Sequence, residues 1–199
     1  MPATVIAAVA FGLTLTLANL SFFSFLELKG LDLLFTLRGA LPSPEQIIIV
    51  AIDEPSMAEM DKQWPWPRSL HAQLTRRLHQ AGAAVIGFDI LFSEPSEPNE
   101  DRLFADALRE AGHVVLVSTL SAVNDPLFRP TVRIDPLPAF RDAAAVGNPF
   151  VGIDGDGVVR RARLLAPDMP SFALQTVRRY LERPAAKTLA SPWKPYSQK

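Results

Sequence analysis

Residues 68–92, RSLHAQLTRRLHQAGAAVIGFDILF, contain the change of periodicity that decides the fold. Leu70, Leu74 and Leu78 recur every fourth position across 68–81, with Arg76, Arg77 and Gln80 on the other side, which is the pattern of an amphipathic helix. Gly82 stands where the left-handed residue that closes a helix belongs. From 84 to 92 the chain is nearly all apolar and reads as a strand covered on both faces.

The same alternation extends outward in both directions. Residues 47–52, IIIVAI, are a β-branched run too short for a helix and read as a preceding buried strand. After the loop 95–98, Asn99 can cap a helix carrying Leu103, Phe104, Ala107, Leu108 and Ala111, which Gly112 ends. Residues 113–119 give a third strand. This order predicts an α/β fold, a mainly parallel sheet with flanking helices and right-handed crossovers. Beyond a loop with Pro126, Pro130, Pro136 and Pro138, a short helix is expected over 139–145. The segments 148–153 and 158–165 flank Asp154-Gly155-Asp156-Gly157 and predict a β-hairpin. A last helix is expected over 171–181, followed by a polar tail.

Residues 2–26 carry no charged side chain. As one helix they would be roughly 37 Å long, more than the ~30 Å hydrocarbon core of a bilayer. They are read as an uncleaved transmembrane helix. The rivals are a buried core helix and a signal peptide, but the start lacks a basic residue and no good small-x-small cleavage site follows. Residues 27–40 continue as a helical stalk, with Leu28, Leu31, Phe35 and Arg38 at helical spacing, until Pro42 and Pro44. The expected organisation is a transmembrane helix at 1–26, a stalk at 27–40, an incomplete α/β domain at 41–183 and a tail at 184–199. Lys29 and Arg38 alone would place that domain in the cytoplasm, although Glu27 and Asp32 counter them.

Composition removes whole classes of function. The 199 residues include no cysteine, which excludes a disulfide framework, thiolate zinc sites and a cysteine nucleophile. The net charge is −1 and no run of Lys or Arg occurs, so no nucleic acid partner is expected. There is no G-x-S-x-G, no phosphate-cradling glycine loop and no H-E-x-x-H. No catalytic residue, metal site or cofactor is assigned.

Asp53 and Asp89 each follow a strand-like run, so both are expected near the carboxyl edge of the sheet, where open α/β folds place ligands. They read either as part of a polar or cation site or as caps and partners of Arg68. Trp64-Pro65-Trp66-Pro67-Arg68 offers two rigid aromatics beside a cation, either as a ligand platform or as packing over the sheet. The Asp154-Gly-Asp-Gly string lacks the other oxygen ligands of a calcium loop and reads as a turn. His71, His79 and His113 are scattered and read as surface histidines.

Taken together, IIIVAIDEPS, WPWPR, AGAAVIGFDILF, DRLFADAL and DGDGVVRRARLL, in this order, resemble the CHASE domain of the second type. The resemblance implies an extracellular sensory domain of bacterial signalling proteins. Such domains follow a transmembrane helix and precede further membrane helices and a cytoplasmic cyclase, histidine kinase, diguanylate cyclase or serine/threonine kinase. The matching positions are Asp32, Asp53, Ser56, Trp64, Pro65, Pro67, Arg68, Gly87, Asp89, Asp101, Gly157 and Arg160. Family members continue with more strands after the helix near Leu181, so the chain is expected to be the first part of such a domain, without its output.

The resulting expectation is a single-pass protein of the bacterial inner membrane. Its α/β part would lie outside the cytoplasm and read an unknown small-molecule or envelope stimulus, with a homodimer left open. The candidate ligand residues are Asp53, Arg68, Asp89, Trp64 and Trp66. The alternatives are a membrane-tethered metal-dependent hydrolase using Asp53 and Asp89, or a non-catalytic envelope protein.

Overall fold

The computed structural model describes residues 2–18, 21–42, 44–122, 131–166 and 169–183. The chain divides into two units, Met1–Ser56 and Met57–Lys199.

The first unit holds α1 (Pro2–Ala18) and α2 (Ser21–Arg38), and α3 (Glu54–Met60) starts at its end. The uncharged run at 2–26 therefore does not form the single transmembrane helix expected for it. Helix α1 has 17 residues, about 25 Å at the usual rise and short of the roughly 20 residues a span needs. Helix α2 has 18 residues but carries Glu27, Lys29, Asp32 and Arg38. Among the described residues no helix is long and apolar enough to cross a membrane. Asn19 and Leu20, between the two helices, lie outside the described residues.

A second correction concerns residues 47–52, which form no strand. Ile47, Ile48, Ile49 and Val50 are 69%, 84%, 86% and 56% exposed. β-Branched composition signals a strand only where a neighbouring strand supplies ladder bonds and cover, and none pairs with this run among the described residues.

The second unit begins with α4 (Arg68–Gln80) and β1 (Ile86–Phe88), then α5 (Pro98–Ala111) and β2 (Val114–Val117). Next come β3 (Thr119–Ala122), β4 (Thr131–Ile134), α6 (Pro138–Arg141) and β5 (Ala145–Gly147). It closes with β6 (Leu165–Ala166), β7 (Met169–Pro170) and α7 (Phe172–Glu182). Strands β1, β2 and β5 form a parallel sheet in that order. The expected parallel α/β core is present, but β5 takes a place that the sequence reading gave to 47–52. Strands β3 and β4 form an antiparallel pair that the reading missed, and the loop 123–130 between them lies outside the described residues. The Asp154–Gly157 turn closes on a hydrogen bond from Asp154 N–H to Val158 O at 3.0 Å. Beyond it the expected hairpin is reduced to one antiparallel bridge, Gly152 to Arg161. The tail at 184–199 lies outside the described residues.

Local chemistry accounts for the helix ends. Helix α4 closes with Gly82 at φ 85°. Gly82 N–H donates to His79 O at 3.0 Å and Ala83 N–H to Leu78 O at 3.0 Å, the paired closure of a Schellman motif. Helix α5 starts with Glu97 as its N-cap residue and Pro98 in the first turn, two residues before the expected cap, Asn99. Ser171 caps α7, its Oγ accepting from Leu174 N–H at 3.1 Å.

The side-chain period of two divides the sheet into two faces. Ile86, Phe88, Val114 and Leu116 point into a cluster with Ala72 of α4, Phe104 and Leu108 of α5, and Phe92 and Phe140. The phenylalanines pack edge to face, with centroids 4.8 Å apart for Phe92–Phe104 and 5.0 Å for Phe104–Phe140. Gly87 and Gly147 lie on the other face, under α7. A Cβ on Gly87 would fall 2.7 Å from Cζ of Phe172, and one on Gly147 would fall 2.6 Å from the Cα of Phe172. The two glycines form the trough that seats Phe172.

This contact gives a direct test. A Cβ at 147 meets backbone, which cannot rotate away, so Gly147→Ala is expected to cost about 1–3 kcal/mol. A Cβ at Gly152 meets nothing within 4 Å, so Gly152→Ala should leave stability nearly unchanged. Urea unfolding midpoints of the two variants check this, and equal midpoints would refute the trough.

Candidate functional site

Two clefts open on the second unit. The larger, of about 430 Å³, is lined by Trp66, Arg68, Glu94, Glu97 and Glu100, with prolines between them. It lies where α4 and α5 begin, and its polar groups are largely occupied in joining those helices. Arg68 Nε lies 3.7 Å from Asp101 Oδ1, and Arg68 also donates to Glu94 O at 3.3 Å. Its guanidinium stands 4.6 Å over the Phe92 ring. Asp101 accepts from Ser96 N–H at 2.9 Å and from Ser96 Oγ at 2.8 Å. Glu100 accepts from Ser69 N–H at 2.6 Å, filling the open amide end of α4.

Trp66 donates from Nε1 to Lys62 O at 3.1 Å. Trp64 lies 6.0 Å from Trp66 and 6.1 Å from His71, centroid to centroid. His71 is not the surface histidine expected from the sequence. It is 2% exposed and stands among Phe88, Phe92 and Phe104 as well as Trp64. Its Nε2 has no partner among the described residues. Burial, with the Arg68 charge as a smaller cause, lowers its pKa from 6.5 to about 4.

The second cleft, of about 240 Å³, lies at the carboxyl edge of the parallel sheet. Asp89 follows β1 and Asn148 follows β5, and both line it together with Arg163 and the start of α7. Asn148 holds this edge together. Its N–H donates to Pro170 O at 3.0 Å, its carbonyl accepts from Phe172 N–H at 2.8 Å, and its Oδ1 accepts from Phe150 N–H at 2.8 Å.

Asp53 belongs to the first unit and caps α3. Its Oδ1 accepts from Ser56 N–H at 3.1 Å and from Ser56 Oγ at 2.5 Å, and these bonds hold its pKa below the usual carboxylate value. Within the second unit Arg68 pairs with Asp101 and not with Asp89, and the two line different clefts. Sequence reasoning missed Asn148 and Arg163. Arg163 sits inside the quoted DGDGVVRRARLL string, but only the third dimension brings it to Asp89. Among the described residues no group of three or more His, Asp or Glu is placed to hold a metal ion.

The model of the CHASE2 domain matches residues 5–197. The chain belongs to the CHASE2 domain family. It is thereby a member of a family of sensory, non-catalytic domains. Neither the curated proteins nor the solved structures compared with it give a match.

The signature positions of a CHASE2 domain can now be sorted by what each charged group touches. Asp32 lies 3.4 Å from Lys29, Asp53 bonds Ser56, and Arg68 pairs with Asp101. Arg160, whose side chain is 2% exposed, lies 3.2 Å from Asp154 and 2.7 Å from Asp156. Asp89 alone among them makes no hydrogen bond or ion pair with any described residue.

His71 gives this subsection its test. Between pH 6.5 and 4 the unfolded chain takes up a proton on this imidazole that the native state refuses. Stability is therefore expected to fall as pH drops through that window, by about 3 kcal/mol for a shift of this size, and to be fully present above it. The charged group facing His71 is Arg68 on the same helix, and the other rings around it are aromatic. His71→Phe should flatten the pH dependence of the unfolding midpoint between 6.5 and 4. An unchanged slope in that variant would refute the assignment.

Proposed function

We propose that this CHASE2 domain is the signal-input part of a bacterial signalling protein, that it works outside the cytoplasm, and that it reads its stimulus in the cleft at the carboxyl edge of β1 and β5. Family membership supports the sensory role. The observation that supports the site is Asp89, the one charged signature residue without a partner among the described residues, standing where parallel sheets offer their ligand crevice. A carboxylate that contributes nothing to holding the fold together is available to a ligand.

The mechanism follows from what lines the cleft. Asp89 moves with β1, while Ser171, Phe172 and Ala173 move with α7. A ligand touching both favours one spacing of helix and sheet and shifts the population toward it. The output that would use this shift is expected on a separate part of the signalling system, a cyclase or kinase.

The location is tested by fusing alkaline phosphatase after Arg183 of the chain expressed in a bacterium. An active phosphatase is expected. An inactive phosphatase, with a cytosolic fluorescent reporter glowing at the same junction, would place the domain in the cytoplasm and end the proposal.

A further inference from the structure

We infer that the open edge of the parallel sheet, at β1, is a pairing site for residues 47–52 of a second copy of this chain, exchanged reciprocally in a closed dimer. The inference goes beyond the sensory reading and does not depend on the cleft.

Two surfaces are left uncovered in the single chain, and each has the chemistry that the other lacks. The first is an edge. The sheet runs β1-β2-β5, so β1 has a strand on one side alone among the described residues. Ile86 N–H donates toward β2, to His113 O at 3.0 Å. Because the backbone groups of a strand alternate sides, the N–H and C=O of Gly87 face the open edge, and Gly87 is exposed. The usual protections of an edge are missing. Residues 84–92 contain no Lys and no Pro, and the pairing of 86–88 with β2 runs without a bulge. The other edge of the sheet is occupied, because Asn148, directly after β5, bridges to Ser171.

The second surface is the run Ile47-Ile48-Ile49-Val50. Each of these residues is more than half exposed, and no described strand of the same chain pairs with them. A run that is apolar at both odd and even positions suits a strand covered on two faces, as a strand added to a parallel sheet is. What selects a second copy as the occupant is that the run and the edge belong to one molecule. A foreign peptide would satisfy the edge and leave the run in water. Two copies that exchange runs cover both edges and both runs in one association step. One loss of translational and rotational freedom is then set against two strand additions. Such an exchange is isologous, so it closes on itself and leaves neither surface for a third copy.

The test uses the full chain, with detergent present throughout to cover the uncharged α1. The sequence has no cysteine, so disulfide trapping reports engineered positions alone. Ile48→Cys or Ile49→Cys in one copy and Val85→Cys in a second, differently tagged copy can join only between chains. Mixed and oxidised, one of these pairs is expected to give the mixed dimer. Ile153→Cys, 64% exposed and equally apolar, should not join to Val85→Cys. Analytical ultracentrifugation of the unmodified chain should show a monomer–dimer equilibrium. Its dissociation constant should rise at least ~10-fold in the double variant Ile48→Lys/Ile49→Lys, with an unchanged circular dichroism spectrum. A monomer at every concentration, growth beyond a dimer, a dissociation constant unchanged in the double variant, or trapping no stronger than with Ile153→Cys would each overturn the inference. So would an Ile49→Cys/Val85→Cys chain that closes its disulfide within a monomer. None of these outcomes touches the sensory reading, which falls on the phosphatase fusion.

Discussion

Phe172 lies in space that two other side chains would otherwise fill. A Cβ on either Gly87 or Gly147 would collide with it at 2.6–2.7 Å, so helix and sheet approach more closely here than any larger residue would permit. The backbone fixes the same contact. Asn148 O accepts from Phe172 N–H at 2.8 Å, and Asn148 pairs with Ser171 as a parallel bridge that continues the ladder of β5. The first turn of α7 is thereby set against the carboxyl edge of the sheet, and the cleft with Asp89 is the gap left beside that contact.

The opposite face of the sheet is built for rigidity. Glu100 joins the start of α4 at Ser69, Arg68 pairs with Asp101, and Arg76 bonds Glu110 at 2.9 Å toward the far ends of the helices. Between these ties lie His71, Thr75 and the phenylalanine cluster, all buried. Removing one aromatic from such a cluster leaves a cavity that its neighbours cannot close. By contrast, α7 is tied to the sheet by few polar contacts, among them Gln175 Nε2 to Val146 O at 3.0 Å. Its outward residues Val177, Tyr180 and Leu181 are 52%, 42% and 59% exposed. The layer that bears the cleft is the less restrained of the two.

The parallel α/β core was legible where pattern and cap agree. Leu70, Leu74 and Leu78 with Gly82 defined α4, and the helix between Asn99 and Gly112 was found within two residues. The reading failed where long-range partners decide. Residues 47–52 have a stronger strand composition than Ala145–Gly147, yet the latter join the sheet, because Val115, Leu116 and Val117 are there to pair with them. Residues 2–26 were uncharged throughout, but absence of charge does not ensure a span, and α1 as described has only 17 residues, Pro2–Ala18. Of the candidate site, Asp89 was legible because it ends an apolar run. Arg163 and Asn148 were not: an arginine among three in DGDGVVRRARLL looks like surface, and Asn148 was read only as the start of a hairpin strand. His71 was misread because the scattered histidines show no ligand spacing along the chain, while tertiary packing closes aromatic rings around this one.

The two clefts also differ in what binding could accomplish. A ligand shifts a conformational equilibrium only by the difference between its affinities for the two states. A molecule in the Arg68 cleft would touch the starts of α4 and α5, which Ser69–Glu100 and Arg68–Asp101 already hold together, so the arrangement it meets varies little. A molecule in the carboxyl-edge cleft touches four parts of the chain at once: Asp89 after β1, residues 148–151 after β5, residues 162–164 before β6, and the start of α7. Contacts on separately held segments convert a small change in their arrangement into a change in binding energy, because hydrogen bonds weaken steeply once their geometry is lost. The energetic requirement of the proposed sensor role therefore favours the smaller cleft over the larger one.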